Sequence, residues 1–149
     1  MIDSSVLWRY SLFDGLEKNQ IDGILPLMEH EIFESGTEII AEGGHNDKVY
    51  FILEGHVEVV KDGIIITKLP EGSVFGEMEV LDVLPVEATV RAAEHTQVMT
   101  LSIDALGEIY ETDLKTYSFI IMNLARDISR RLRRMDVNAV SESPPTEWS

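Results

Sequence analysis

The pair Gly76-Glu77, directly after the aromatic Phe75, is where residue type and spacing in this chain point to a binding chemistry. A short helix starting at Gly76 directs unpaired backbone N–H groups outward, and glycine lets an anionic phosphate or a sugar approach the main chain. Glu77 adds a carboxylate of the kind that accepts a hydrogen bond from a ribose hydroxyl. Catalytic and metal chemistry have no comparable support. His30, His45, His56 and His95 fall in different turns and strand ends without His-x-His or His-x-x-x-His spacing, which argues against a metal site. The sequence has no nucleophile elbow, no phosphate-binding loop of the Gly-x-x-x-x-Gly-Lys type and no Gly-x-Gly-x-x-Gly turn. Acidic pairs such as Glu77 with Glu79 are common among 27 carboxylates, so none marks a general acid–base couple. The expectation is a protein that is not an enzyme and carries no metal or cofactor.

Charge narrows the partners. A net charge of −15 repels phosphate backbones, so no nucleic-acid partner is expected. Arg126, Arg130, Arg131, Arg133 and Arg134 form a local exception, read as exposed positions of a helix whose last turns favour cations. The absence of cysteine excludes disulfides and thiolate sites and suits a reducing compartment. Residues 1–10 lack the apolar core of a signal peptide. Apolar clusters such as Phe119 to Met122 fall far short of the roughly 20 residues of a membrane span. A soluble, cytoplasmic protein without membrane contact is expected.

The elements that must position Gly76 and Glu77 follow from periodicity. Leu7, Phe13, Leu16, Ile21, Ile24, Leu25, Leu27 and Met28 recur at helical spacing, interrupted by Gly15, Gly23 and Pro26, which predicts short helical turns. From Ile32 to Ser102 the runs shorten to strand length between turn residues, the pattern of an antiparallel barrel or sandwich. Asp62-Gly63, between Val57–Val60 and Ile64–Leu69, is a strong hairpin signal. Ile103 to Glu111 predicts a short helix, and Thr112-Asp113 suits the cap of the next one. Tyr117, Ile121, Leu124, Ile128, Leu132 and Met135 then mark one long amphipathic helix. About 23 residues at 1.5 Å each give roughly 35 Å, more than a small barrel can cover.

Phe75-Gly76-Glu77-Met78-Glu79-Val80-Leu81, followed after Asp82-Val83-Leu84 by Pro85-Val86-Glu87-Ala88-Thr89-Val90, resembles the phosphate-binding cassette of cyclic-nucleotide-binding domains of the catabolite-activator and protein-kinase-A regulatory-subunit type. The resemblance extends over Phe13 to Met135, through Phe13-Asp14-Gly15-Leu16, Glu42-Gly43, Asp47, Tyr50-Phe51-Ile52, Gly55, Asn123-Leu124-Ala125-Arg126 and Arg130-Arg131-Leu132. It implies an antiparallel β jelly-roll barrel with short N-terminal helices and a long C-terminal helix. As one domain over 1–140, this places helices at 5–30, the barrel at 31–102 and further helices at 103–140, with a loose tail at 141–149. It also implies a regulatory domain for cyclic AMP or cyclic GMP. Glu77 would anchor the ribose, Phe75, Gly76 and Met78 would build the cassette, and Val86, Glu87, Ala88 and Thr89 would flank the cyclic phosphate. Arg131, Met135 and Asp136 would form a lid over the base. Asn46 stands where the family favours glycine, a place for a left-handed backbone.

Two positions depart from the family pattern. The arginine that pairs with the phosphate is replaced by Val86, and the small residue after it by Glu87, which puts a carboxylate close to where the phosphate would lie. Losing one partner of a desolvated charge pair costs about 3 to 5 kcal/mol, so weak cyclic-nucleotide binding is expected. Arg91, at an odd offset from Val86, faces the other side of the sheet, which leaves an arginine of the long helix as the better candidate to reach in. Ile121, Leu124, Ile128 and Met135 keep near-heptad spacing broken by Arg131, the basis for expecting a homodimer through the C-terminal helix. The alternative is a protein-interaction module that keeps the fold, has lost the nucleotide, and docks an unknown protein partner.

Overall fold

A computed structural model describes residues 4–8, 10–82 and 84–142, with side chains as far as Met135. The chain opens with α1 (Ser4–Leu7), a 3-10 turn at Ser11–Phe13, α2 (Lys18–Ile24) and a second 3-10 turn at Leu25–Leu27. These are the short turns that the interrupted periodicity predicts. A capping box between Glu17 and Gln20 fixes the start of α2, satisfying amides that helix geometry leaves open.

The strands are β1 (Glu29–Phe33), β2 (Glu38–Ile40), β3 (Lys48–Glu54), β4 (Val57–Lys61), β5 (Ile64–Leu69) and β6 (Val74–Phe75). After α3 (Glu77–Asp82) come β7 (Thr89–Ala92) and β8 (Thr96–Ser102). They form two antiparallel four-stranded sheets, ordered β1-β8-β3-β6 and β2-β7-β4-β5, the expected jelly roll. Between β4 and β5, Asp62 and Gly63 both take positive φ (52° and 76°), as the tightest hairpins require.

Strand β3 shows why both faces of one sheet are apolar. Val49 and Phe51 join the cluster that seats the helices, including Phe13, Ile21, Ile109, Ile120 and Leu124. Tyr50 and Ile52 point the other way, into the barrel interior with Ile40, Val57, Phe75, Val86, Val90 and Val98. A period of two serves two cores.

Beyond β8, α4 (Ile103–Thr112) is capped by Ser102, whose hydroxyl accepts from Ala105 N at 3.0 Å. The last helix, α5 (Leu114–Glu142), has 29 residues against the expected 23 or so. Asp113 caps it, accepting from Thr116 N at 3.2 Å and Thr116 Oγ1 at 2.5 Å. The expected apolar stripe is split by the packing. Leu124 is buried together with Thr116, Ile120 and Asn123, whereas Met122, Leu132 and Met135 are exposed. Polar Thr116 and Asn123 face inward because they find partners there. Gln20 Nε2 donates to Thr116 Oγ1 at 3.0 Å, and Asn123 Nδ2 donates to the carbonyls of Leu12 and Asp14 at 2.8 and 2.9 Å. The near-heptad seam expected through Leu124 is therefore corrected: Leu124 belongs to the core, and the apolar stripe beside it runs from half-buried Ile121, which packs against the core, through Ala125 and half-buried Ile128 to exposed Leu132 and Met135. The expected tail at 141–149 lies outside the described residues from 143 onward.

Candidate functional site

The candidate cassette runs from Phe75 at the end of β6 into α3 and, after it, reaches Thr89 at the start of β7. Its start is fixed by Phe75, buried and stacked on Tyr50 with ring centroids 4.8 Å apart, and by register pairing of these residues across β3 and β6. Gly76 follows with φ +83°, and a Cβ there would come within 2.6 Å of Lys48 O and 2.7 Å of Asn46 Nδ2. Glycine is required by conformation and by space before any ligand is considered.

Asn46 departs from the expectation for its position. It does not adopt the left-handed backbone expected of a glycine substitute, since Asp62 alone does so among the described non-glycine residues. Its side-chain amide instead donates to Lys48 O and Gly76 O, both at 2.9 Å, and more weakly to Glu79 Oε1 at 3.3 Å. Lys48 N donates back to Asn46 Oδ1 at 3.1 Å. Asn46 therefore pins the turn into α3 to strand β3.

Glu77 is the centre of the site. It is 1 % exposed, and its Oε1 accepts from Arg131 Nη1 of α5 at 2.8 Å. The other guanidinium nitrogen, Nη2, donates to Val74 O and lies 2.8 Å from Asp127 Oδ2 one helical turn away. That Asp127 oxygen is sealed from solvent with no hydrogen-bond donor among the described residues, so the guanidinium charge alone compensates it. Burial pushes the Glu77 carboxyl above the usual carboxylate range, while Arg131 opposes that rise. Glu79 is raised as well, by burial first, with the Asn46 hydrogen bond opposing and the nearby Glu87 charge adding to it.

The second arm of the cassette is held by backbone. Gly43 N donates to Val86 O at 2.9 Å and Val86 N to Gly44 O at 3.2 Å. Glu42 N donates to Thr89 Oγ1 at 3.1 Å. Val86 is 4 % exposed and lies inside the barrel with Tyr50, Phe75 and Val90, so an apolar side chain buried in the core stands at the position where the family's arginine is expected. Glu87 is exposed, Ala88 and Thr89 are half-buried, and Met78 is 64 % exposed. Arg91 lies opposite Glu58 on the neighbouring strand and pairs with it at 3.1 Å; Val86 precedes β7 (Thr89–Ala92), so it is the alternation within β7, with Val90 and Ala92 buried, that turns Arg91 away from the barrel interior.

Of the expected lid, Arg131 alone reaches the cassette, and it binds the Glu77 carboxylate and Val74 carbonyl. Met135 is exposed, and the Asp136 side chain lies outside the described residues. The histidines meet surface partners: His30 with Gln97, His56 with Glu94 and His95 with Glu34. Among the described residues no group of three or more potential metal ligands occurs, and no helix is long and apolar enough to cross a membrane.

The family model of the cyclic nucleotide-binding domain matches residues 30–113. The chain is 37 % identical over 100 residues to potassium/sodium hyperpolarization-activated cyclic nucleotide-gated channel 4 of Homo sapiens, covering 67 % of this chain and 8 % of the channel. It thus spans a small part of the curated relatives it matches. A solved cyclic nucleotide-binding domain from Methylobacillus flagellatus superposes with a TM-score of 0.85 at 22 % identity, covering 97 % of this chain and 84 % of that one. The catabolite activator protein of Thermus thermophilus gives 0.73 at 26 %, covering 86 % and 61 %.

Proposed function

Because this chain belongs to the cyclic nucleotide-binding domain family, we propose that it is a non-catalytic regulatory domain whose ligand class is cyclic AMP or cyclic GMP, bound weakly. The observation that carries this reading is the buried Glu77, held by Arg131 of α5. Through that ion pair, occupancy of the cassette is felt by the long helix, and the helix carries the output. Weak binding follows from Val86. An aliphatic side chain offers a cyclic phosphate no charge, and a loss of about 3 to 5 kcal/mol corresponds to roughly two to three decades of affinity at 1.4 kcal/mol each. Glu87 is exposed, so its repulsion is screened by solvent and salt and adds less than its sequence position suggests.

The test is the variant Val86→Arg with Glu87→Ala, titrated calorimetrically with cyclic AMP and cyclic GMP beside the wild type. The expected result is affinity at least about 100-fold higher in the variant. The variant alone should melt below the wild type, because an arginine enters an apolar pocket, and ligand should restore it. A folded variant that binds no better than wild type would leave the second reading, a protein-interaction module, as the surviving one.

The apolar stripe Ile121, Ala125, Ile128, Leu132 and Met135 has heptad spacing of threes and fours, which supports a homodimer through α5. Sedimentation of Leu132→Glu measures this: the wild type runs as a dimer and the variant as a monomer. A monomeric wild type at tens of micromolar removes the dimer from the account.

A further inference from the structure

The arginines of α5 are not explained by the helix itself. The helix runs on to Glu142 with no basic residue in its last turn, so Arg130, Arg133 and Arg134 lie too far from its C-terminus for the macrodipole to favour them. None of the three makes a hydrogen bond or ion pair among the described residues, in a chain with 27 acidic against 12 basic groups. Instead they line a cavity of about 640 Å3. Ser11, the first residue of the first 3-10 turn, and Ser73, just before β6, line it as well.

The balance of charge in this cavity is positive. Its two carboxylates are both engaged, Asp127 with Arg131 at 2.8 Å and Glu71 accepting from the Tyr10 hydroxyl at 2.9 Å. The Ser11 and Ser73 hydroxyls have no hydrogen-bond partner among the described residues, so polar donors remain to be used. Guanidinium groups are the side chains best matched to phosphate oxygens, which they bind through paired N–H donors. The volume falls in the range of small-molecule sites. No residue of the cassette from Phe75 to Thr89 lines it.

We infer that this cavity is a second binding site, one that takes a soluble small molecule bearing a phosphate or pyrophosphate group, held by Arg130, Arg133 and Arg134 with Ser11 and Ser73 donating. A soluble ligand is favoured over a lipid headgroup because the chain's charge of −15 repels an anionic bilayer as a whole while a small anion enters locally. A ligand there bridges α5 to the Glu71–Ser73 loop and so holds the helix in the posture in which Arg131 meets Glu77.

The test is calorimetric titration of the full chain with inorganic pyrophosphate in about 50 mM salt, where screening is modest. The variants are Arg130→Gln, Arg134→Gln and, as a control of equal charge change off the cavity, Arg126→Gln. All three are exposed positions, and an unchanged melting temperature confirms that each variant folds. The wild type should bind one pyrophosphate saturably, with affinity at least about 10-fold lower in Arg130→Gln and in Arg134→Gln and within about 2-fold of wild type in Arg126→Gln. Absence of saturable binding, or an equal loss in Arg126→Gln, overturns the site. Sedimentation with vesicles containing a phosphoinositide in phosphatidylcholine separates the sources: vesicle binding without pyrophosphate binding also overturns it.

Discussion

Replacing Arg131 by methionine removes the charge that faces Glu77 and Asp127 while keeping much of the aliphatic stem. Glu77 is 1 % exposed, and breaking a buried pair by deleting one partner costs about 3 to 5 kcal/mol. That cost has a ceiling set by protonation. A carboxyl of ordinary pKa about 4.3 can be neutralised at pH 7 for about 3.7 kcal/mol, at 1.36 kcal/mol per pH unit, and at pH 5 for about 1 kcal/mol. Loss of the donor to Val74 O adds about 1 kcal/mol. Chemical denaturation should therefore show Arg131→Met less stable by about 4 to 5 kcal/mol at pH 7 and by about 2 kcal/mol at pH 5. At about 2 to 4 °C per kcal/mol, the melting temperature falls by about 10 °C at pH 7. The sign follows from linkage. The folded-state carboxyl lies above its unfolded value, so the folded state binds more protons, and its stability is lost as pH rises through the raised value. Adding Glu77→Gln should recover much of the loss at pH 7. A cost below about 1 kcal/mol at pH 7, or one that does not shrink toward pH 5, would mean that Arg131 does not compensate a buried Glu77 charge.

Further predictions concern the supports of the cassette. Asn46→Ala removes one donor from the Gly76 and Lys48 carbonyls and should cost about 0.5 to 1.5 kcal/mol in denaturation, together with faster amide hydrogen exchange in the turn before α3. Asp113→Ala removes the cap of α5 and should cost about 0.5 to 2 kcal/mol at pH 7. Hydrogen bonds from the Thr116 side chain and backbone hold the Asp113 carboxyl below its usual value of 3.8. Its contribution is thus present above that value and lost as pH falls through the depressed one, so the gap between variant and wild type should narrow in melts taken at progressively more acid pH.

Local signals were legible in the sequence and long-range ones were not. The Asp62-Gly63 hairpin, the strand runs and the capping position at Asp113 each depend on a few consecutive residues, and the structure has them where the sequence reading places them. Gly76 and Glu77 were recognisable because they are adjacent. The partner of Glu77 stands 54 positions away; spacing alone does not separate Arg131 from Arg130 or Arg134, and the family resemblance that does single out Arg131 assigns it to a lid over the base and not to the Glu77 carboxylate. Helical periodicity misled for a physical reason. Residues on two sides of α5 are apolar, and Thr116 and Asn123 are buried because Gln20, Leu12 and Asp14 supply hydrogen-bond partners. Asn46 was misread similarly: its type suited a left-handed turn, whereas its role is side-chain bonding to Gly76, 30 positions on.

Titrating the wild-type chain with cyclic AMP in a calorimeter asks whether a cassette with a carboxylate anchor at Glu77 and an aliphatic Val86 in place of a phosphate anchor still holds the nucleotide. Val86 in the barrel core predicts a dissociation constant near or above the millimolar range, on the order of two to three decades weaker than a micromolar site. Stoichiometric binding at low micromolar concentration would contradict it.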